Sequence, residues 1–134
     1  APTMRNVSLA VTGVDENRLA TLSGLTAVRL QSMRVRALGF LPSLTDVFAS
    51  SLALVSPTFI GGGIRKKVLE AMANQLPVIA TPLDTDSCSY FSPSRNILRF
   101  STPSEFVACV ENLIGDRTHW KRLSDAGRQT VEQH

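Results

Sequence analysis

Long apolar runs are absent: no stretch approaches the roughly 18 consecutive apolar residues of a membrane-spanning helix, so no transmembrane helix is expected. The opening residues, APTMRN, hold no apolar core followed by a small-residue cleavage site, and no signal peptide is expected. Cysteine is scarce. Cys88 and Cys109 are the 2 cysteines in 134 residues, far apart and away from any cluster of ligand-type side chains. That usage favours reduced thiols and a cytoplasmic location over a disulfide framework. The 2 histidines, His119 and His134, lie toward the C-terminal end, so no metal site is expected. Charge of one sign is not in excess either: 14 Lys and Arg stand against 11 Asp and Glu, a formal +3. This balance is too mild for a nucleic-acid partner. Arg29, Arg34, Arg36, Arg65, Lys66 and Lys67 are spread over several segments, which suits a local anionic ligand better than a polyanion. Three nucleotide and hydrolase signatures are also missing. There is no G-x-x-x-x-G-K-[ST], Gly13 stands without a G-x-G-x-x-G, and no Ser/His/Asp or Cys/His motif appears.

What is present is a regular alternation of strand and helix signals. The hydrophobic fraction, 43%, is that of a globular chain, and the length suits a single domain over 1–134. Val7 to Gly13 reads as a buried strand ending on glycine, and Asp15 to Leu25 as a helix. Val35 to Phe40 is a second strand. Ser43 and Asp46 have the spacing of a capping box for a helix to about Ser51. Leu52 to Ser56 is a third strand, stopped by Pro57. After Gly61, Gly62 and Gly63 comes a strongly helical run that Pro77 ends, and Val78 to Thr81 forms a fourth strand. Residues 82–95 are rich in Pro, Ser and Asp and read as an irregular loop with room for one short helical turn. Asn96 to Phe100 is a fifth strand. Thr102, Pro103 and Glu105 supply an N-cap, an N1 proline and a capping-box acid for a helix over 103–114, with another over 117–133.

Strands alternating with helices imply βαβ units. The expected fold class is therefore α/β: a doubly wound, Rossmann-like parallel sheet of about five to six strands with helices on both faces. Such sheets bind ligands beyond the carboxyl ends of their strands.

Ser56 to Thr81 (SPTFIGGGIRKKVLEAMANQLPVIAT) carries the chemistry. A strand runs into three glycines, which run into a helix. Glycine lets backbone approach a ligand closely. The helix start offers unpaired N–H groups and about half a positive charge, a ready site for phosphate. Arg65, Lys66 and Lys67 oppose the helix dipole there, a conflict that an anionic ligand relieves. Ile64, Val68, Leu69, Met72, Ala73 and Leu76 share one apolar face, while Lys67 and Glu70 lie about 60° apart on the other side. The base suits a diphosphate and the acid suits ribose hydroxyls. Simpler readings stand beside these: a flexible glycine turn, and a surface Lys66–Glu70 pair worth roughly 0.3 kcal/mol.

The order of these pieces resembles the retaining GT-B glycosyltransferases of the family 4, or group 1, type. In that family a strand ending in Pro leads to a Gly-rich loop, a helix reading K-[VI]-L-E-A-M-A, then G-x-P-V-[IV]-A-T. Here Lys67 to Ala73 reads KVLEAMA and Leu76 to Thr81 reads LPVIAT. VRALGFLPSLTDVFASSLALVSP and the L-x-x-A-G-R of Leu123 to Arg128 extend the resemblance over most of the chain. It implies a C-terminal, donor-binding half of a two-domain enzyme, without the N-terminal acceptor-binding domain. The missing Met at position 1 and a chain still helical at its end carry the same expectation of a fragment, inactive alone.

The implied roles are specific. Lys67 and Arg65 are the expected catalytic residues, acting on the donor phosphates. Glu70 binds the ribose, Gly61, Gly62 and Gly63 turn backbone toward the donor, and Gly13 lies close to the nucleotide. The donor is a UDP- or GDP-type sugar; no further cofactor and no metal are implied. A peripheral membrane contact would belong to the missing half. Two departures stand out. Many members carry a glutamate where this chain has Gly62, and the loop after Thr81, usually Gly-rich, reads PLDTDSCSYFSPS. They leave two rival readings: a non-catalytic, degenerate Rossmann-like binding module, and a phosphate-binding regulator of the same fold.

Overall fold

The computed structural model describes residues 6–60 and 65–134. The chain divides into two compact units, Ala1–Leu44 and Thr45–His134.

In the first unit, strand β1 (Leu9–Thr12) and strand β2 (Val35–Gly39) pair in parallel, with Leu9 opposite Val35. Helices α1 (Glu16–Ser23) and α2 (Ala27–Ser32) form the crossover. Asp15 caps α1 by accepting from the Arg18 N–H at 2.7 Å, and Gly24 ends it at φ 72°. A left-handed residue stops a helix there at little cost only when it is glycine. Thr26 caps α2, accepting from the Arg29 N–H at 3.1 Å. The sequence pattern predicts one helix here, over Asp15 to Leu25, and does not predict α2. Its six residues bury only Leu30, too little for a periodic signal.

The second unit contains α3 (Thr45–Ala49), β3 (Leu54–Ser56), α4 (Lys66–Ala73), β4 (Val78–Ala80), α5 (Pro82–Thr85), β5 (Leu98–Arg99), α6 (Pro103–Gly115) and α7 (Arg117–Gln133). Its strands are parallel in the order β3-β4-β5. The expected parallel α/β organisation is thus present among the described residues. Five strands are shared between a two-stranded and a three-stranded sheet. Several strands are shorter than expected. β3 begins at Leu54, and β5 keeps two residues, Leu98–Arg99.

The core of this unit surrounds β4, whose Val78, Ile79 and Ala80 are all buried. Helix α4 packs on it through Val68, Ala71 and Met72. The sequence reading put Ala73 on that face, but Ala73 is exposed and Ala71 takes its place. Helix α7 crosses α4 at Gly127, where an added Cβ would lie 3.2 Å from Met72 Cγ. At the other end of α4, the Gln75 side chain donates to Asp125 at 3.0 Å and accepts from Arg128 at 3.2 Å. Thr102 and Glu105 start α6 as expected, the acid accepting from the Ser101 N–H at 2.8 Å.

Two buried polar residues organise the segment between β4 and β5. Asn96 accepts from the Ser92 N–H at 2.7 Å and donates to the Tyr90 carbonyl and Thr130 Oγ1, both at 2.8 Å. Asp84, on α5, has no solvent exposure. It accepts from Ser56 Oγ at 2.5 Å and from Arg65 Nε at 2.7 Å. Burial pushes its pKa up. Hydrogen bonds from Ser56, Arg65 and Thr58, with the Arg65 charge, outweigh burial and hold it below the ordinary carboxylate value. Segment 82–95 carries the short helical turn that its reading as an irregular loop left room for, and of its two acids Asp84 is internal while Asp86 is exposed.

Two outcomes follow for stability. Asn96→Ala leaves the Ser92 N–H without its acceptor and the Tyr90 carbonyl and Thr130 Oγ1 without their donor, and is expected to destabilise by about 2–3 kcal/mol in urea unfolding. Because the folded-state pKa of Asp84 is depressed, its ionised form stabilises fully above about pH 3.8, and that contribution is lost as pH falls through the lower folded value. Asp84→Asn is accordingly expected to be less stable than the parent at pH 6, with the gap narrowing in unfolding curves taken at successively lower pH.

Candidate functional site at the start of helix α4

The segments that follow β3 and β4 lie side by side. The Thr81 N–H donates to the Ser56 carbonyl at 3.2 Å, continuing the ladder one step past the strands. Thr81 Oγ1 then donates to the Thr58 carbonyl. Asp84, one turn later, receives Ser56 and Arg65. The residue that opens α4 is thus tied to the carboxyl ends of two neighbouring strands, where ligands of parallel sheets bind.

Helix α4 starts without a side-chain cap. Arg65 occupies the N-cap position at φ −85° and ψ 106°, and no acidic residue lies in the first turn. By contrast α1, α2, α6 and α7 each begin on an Asp or Thr that accepts from an N–H of the first turn. The start of α4 therefore combines an N-cap without a side-chain hydrogen bond, the positive end of the dipole and three cationic side chains, Arg65, Lys66 and Lys67. That combination fits an anion.

The residues expected from sequence are placed as follows. Lys67 and Glu70 are both exposed and stand off the buried face of α4. Lys66 and Glu70 form no ion pair; the ion pairs among the described residues are Arg65–Asp84, Lys121–Asp125 and Arg128–Glu132. Arg65 is half-buried, its side chain 26% exposed, with its Nε edge on Asp84. Gly61, Gly62 and Gly63 lie outside the described residues. Gly13 belongs to the first unit, where it follows β1 at φ 86° and its N–H donates to the Gly39 carbonyl at 2.7 Å. A hollow of about 460 Å³ in that unit, lined by Glu16, Leu30, Arg34 and Arg36 among others, contains none of the expected site residues.

Sequence reasoning missed Ser56, Thr58 and Asp84. A signal for α5 was available. Thr81-Pro82-Leu83-Asp84 repeats the Thr-Pro-x-acid pattern of Thr102 to Glu105, which was read correctly as a helix start. The inward turn of Asp84 had no such signal.

The comparisons bear on this arrangement. Residues 1–116 match the family described as Glycosyl transferases group 1. No curated protein matches the chain. Among solved structures, HepE from Anabaena in complex with UDP is 14% identical with a TM-score of 0.78, over 95% of this chain and 36% of that one. Sucrose-phosphate synthase from Thermosynechococcus elongatus is 18% identical with a TM-score of 0.76, over 94% and 34%. The C-terminal domain of the group 1 glycosyl transferase LpcC from Francisella tularensis is 17% identical with a TM-score of 0.64, over 87% and 58%. The chain spans about a third of the length of HepE and of the synthase, and these likenesses show a shared fold. With the family matched over most of its length and the fold of a GT-B C-terminal domain, the chain belongs to the group 1 glycosyl transferases.

Proposed function

We infer that this chain binds the nucleoside diphosphate of a sugar donor at the start of α4. As part of a longer GT-B enzyme, it would serve retaining transfer of the sugar to an acceptor. The observation that carries the reading is the uncapped, cation-rich start of α4, built on the carboxyl ends of parallel strands in a chain of this family. HepE, a protein of the same fold, has been solved with UDP and with UDP-glucose.

Each residue has a physical task. As the sugar–phosphate bond breaks, negative charge develops on the departing diphosphate. Fixed N–H groups and cations aimed at that charge stabilise the transition state without reorganising. The N–H groups of the first turn and Arg65 supply directed donors, and Lys67 supplies a mobile point charge. Glu70, about one turn further along the exposed side, accepts from the ribose hydroxyls. No further cofactor is needed for this assignment. The acceptor is held by the other domain of the parent enzyme, and any contact with a membrane surface is made there. The free thiols Cys88 and Cys109 suit a reducing, cytoplasmic setting.

Titration of the isotope-labelled chain with UDP, GDP, ADP and inorganic phosphate, followed through backbone amides, tests the reading. One nucleotide is expected to shift Lys67 and Glu70 saturably. Glu70→Ala is expected to weaken that nucleotide by about tenfold or more while sparing phosphate, since a charged acceptor is lost only to the ribose. Lys67→Ala is expected to weaken nucleotide and phosphate alike. Equal responses to phosphate and to every nucleotide would reject the ribose role. Binding without sugar transfer by the parent enzyme would favour a non-catalytic module.

A further inference from the structure

We propose that Asp84 is a positioning residue for the donor diphosphate, holding the Arg65 guanidinium so that its remaining N–H groups meet the phosphates at the start of α4. The proposal rests on the reading of α4 as the diphosphate site and adds the residue that orients its arginine.

Asp84 is fully buried, and each of its oxygens has its own donor. Oδ2 takes the Ser56 hydroxyl and Oδ1 takes Arg65 Nε. The guanidinium meets the carboxylate through Nε alone and does not close a two-pronged pair with it. Arg65 Nη2 is left buried with no hydrogen-bond partner among the described residues. A buried guanidinium N–H without an acceptor is costly, and a phosphate oxygen is the acceptor that its planar fork fits best. Arginine otherwise has high rotamer freedom. Fixing it by one edge removes most of that freedom before the ligand arrives, which is how preorganisation raises affinity.

The anchor is itself anchored. Ser56 ends β3, and Asp84 sits on α5 one turn after Thr81, whose N–H is bonded to the Ser56 carbonyl. Asp84 therefore cannot follow Arg65 if the arginine swings away. The pairing also changes what Arg65 offers. Beside a carboxylate it adds little net charge, so its contribution is directional, while Lys66 and Lys67 provide the field. Loss of Asp84 is then predicted to affect recognition of a second phosphate more than binding of the nucleoside and first phosphate.

The test compares Kd for the tightest-binding of UDP, GDP and ADP with Kd for its monophosphate. The variants are Asp84→Asn, Arg65→Ala and the double substitution. Asp84→Asn is expected to weaken the diphosphate by about tenfold, with the monophosphate changed by about twofold at most. In the Arg65→Ala background, Asp84→Asn is expected to add nothing further, because it acts through the arginine. A purely structural role would weaken both nucleotides together and would add to Arg65→Ala; either result overturns the proposal. If Asp84→Asn does not fold, Ser56→Ala decides by the same comparison. It removes one of the donors that hold the carboxylate in place and so loosens the anchor of the guanidinium, and the diphosphate preference is expected to shrink; an unchanged preference overturns the proposal. If the unsubstituted chain binds no nucleoside diphosphate, the reading of the site fails first. That outcome is separate from a chain that binds well and is indifferent to Asp84.

Discussion

A carboxylate with no exposure must be met by donors or it will not stay ionised, and in the second unit that requirement decides where the start of α4 lies. Asp84 draws Ser56 from the end of β3 and Arg65 from the head of α4 to one point. Both strands concerned are parallel neighbours, so the meeting point is also the edge at which such sheets take ligands. Local folding and site construction are here the same event. The buried charge is stable only when the arginine is in place, and the arginine is in place only when the charge is buried.

The rest of α4 is fixed by complementary means. A helix of eight residues is marginal in isolation, so its position must come from packing. Val68, Ala71 and Met72 bind it to the core, and Gly127 lets the backbone of α7 come close against Met72. Gln75 pins its end to Asp125 and Arg128. Both ends and one face are thereby held, and Lys67 and Glu70 are left on the free face. Side chains on such a rigid element keep their spacing better than they would on a loop.

What the sequence made legible follows from this division. Periodicity reports which residues are buried along a long element. The helices of the last thirty or so residues, the buried strand Val78 to Ala80 and the outward side of α4 were therefore readable. Helix α2 escaped: it buries one residue, which gives periodicity nothing to act on. Asp84 escaped for another reason. In a run of Pro, Ser and Asp, an acid is read as exposed, because composition cannot say which acid has donors waiting inside. The pair of Thr-Pro-x-acid starts shows how little separates the two cases. Glu105 turns back to the Ser101 N–H of its own helix start, whereas Asp84 turns away to Ser56 and Arg65, and Thr81 gives its hydroxyl to Thr58 instead of capping. Tertiary donors outcompeted the local ones.

An acid beside the proposed phosphate site opposes it in charge, since like charges repel and the Asp84 pair cancels much of the arginine's charge. The objection weakens once charge and direction are separated. Coulomb attraction to a diphosphate can come from exposed lysines at little structural cost, and Lys66 and Lys67 are both exposed. Such attraction is screened and undirected: it draws any anion and orients none. A guanidinium clamped along one edge does the reverse, adding little field but presenting donors in a fixed plane. Transition-state stabilisation depends on the second property, because it requires donors already aimed at the oxygens where charge will appear. The carboxylate therefore reduces what the site attracts in exchange for fixing what it can recognise.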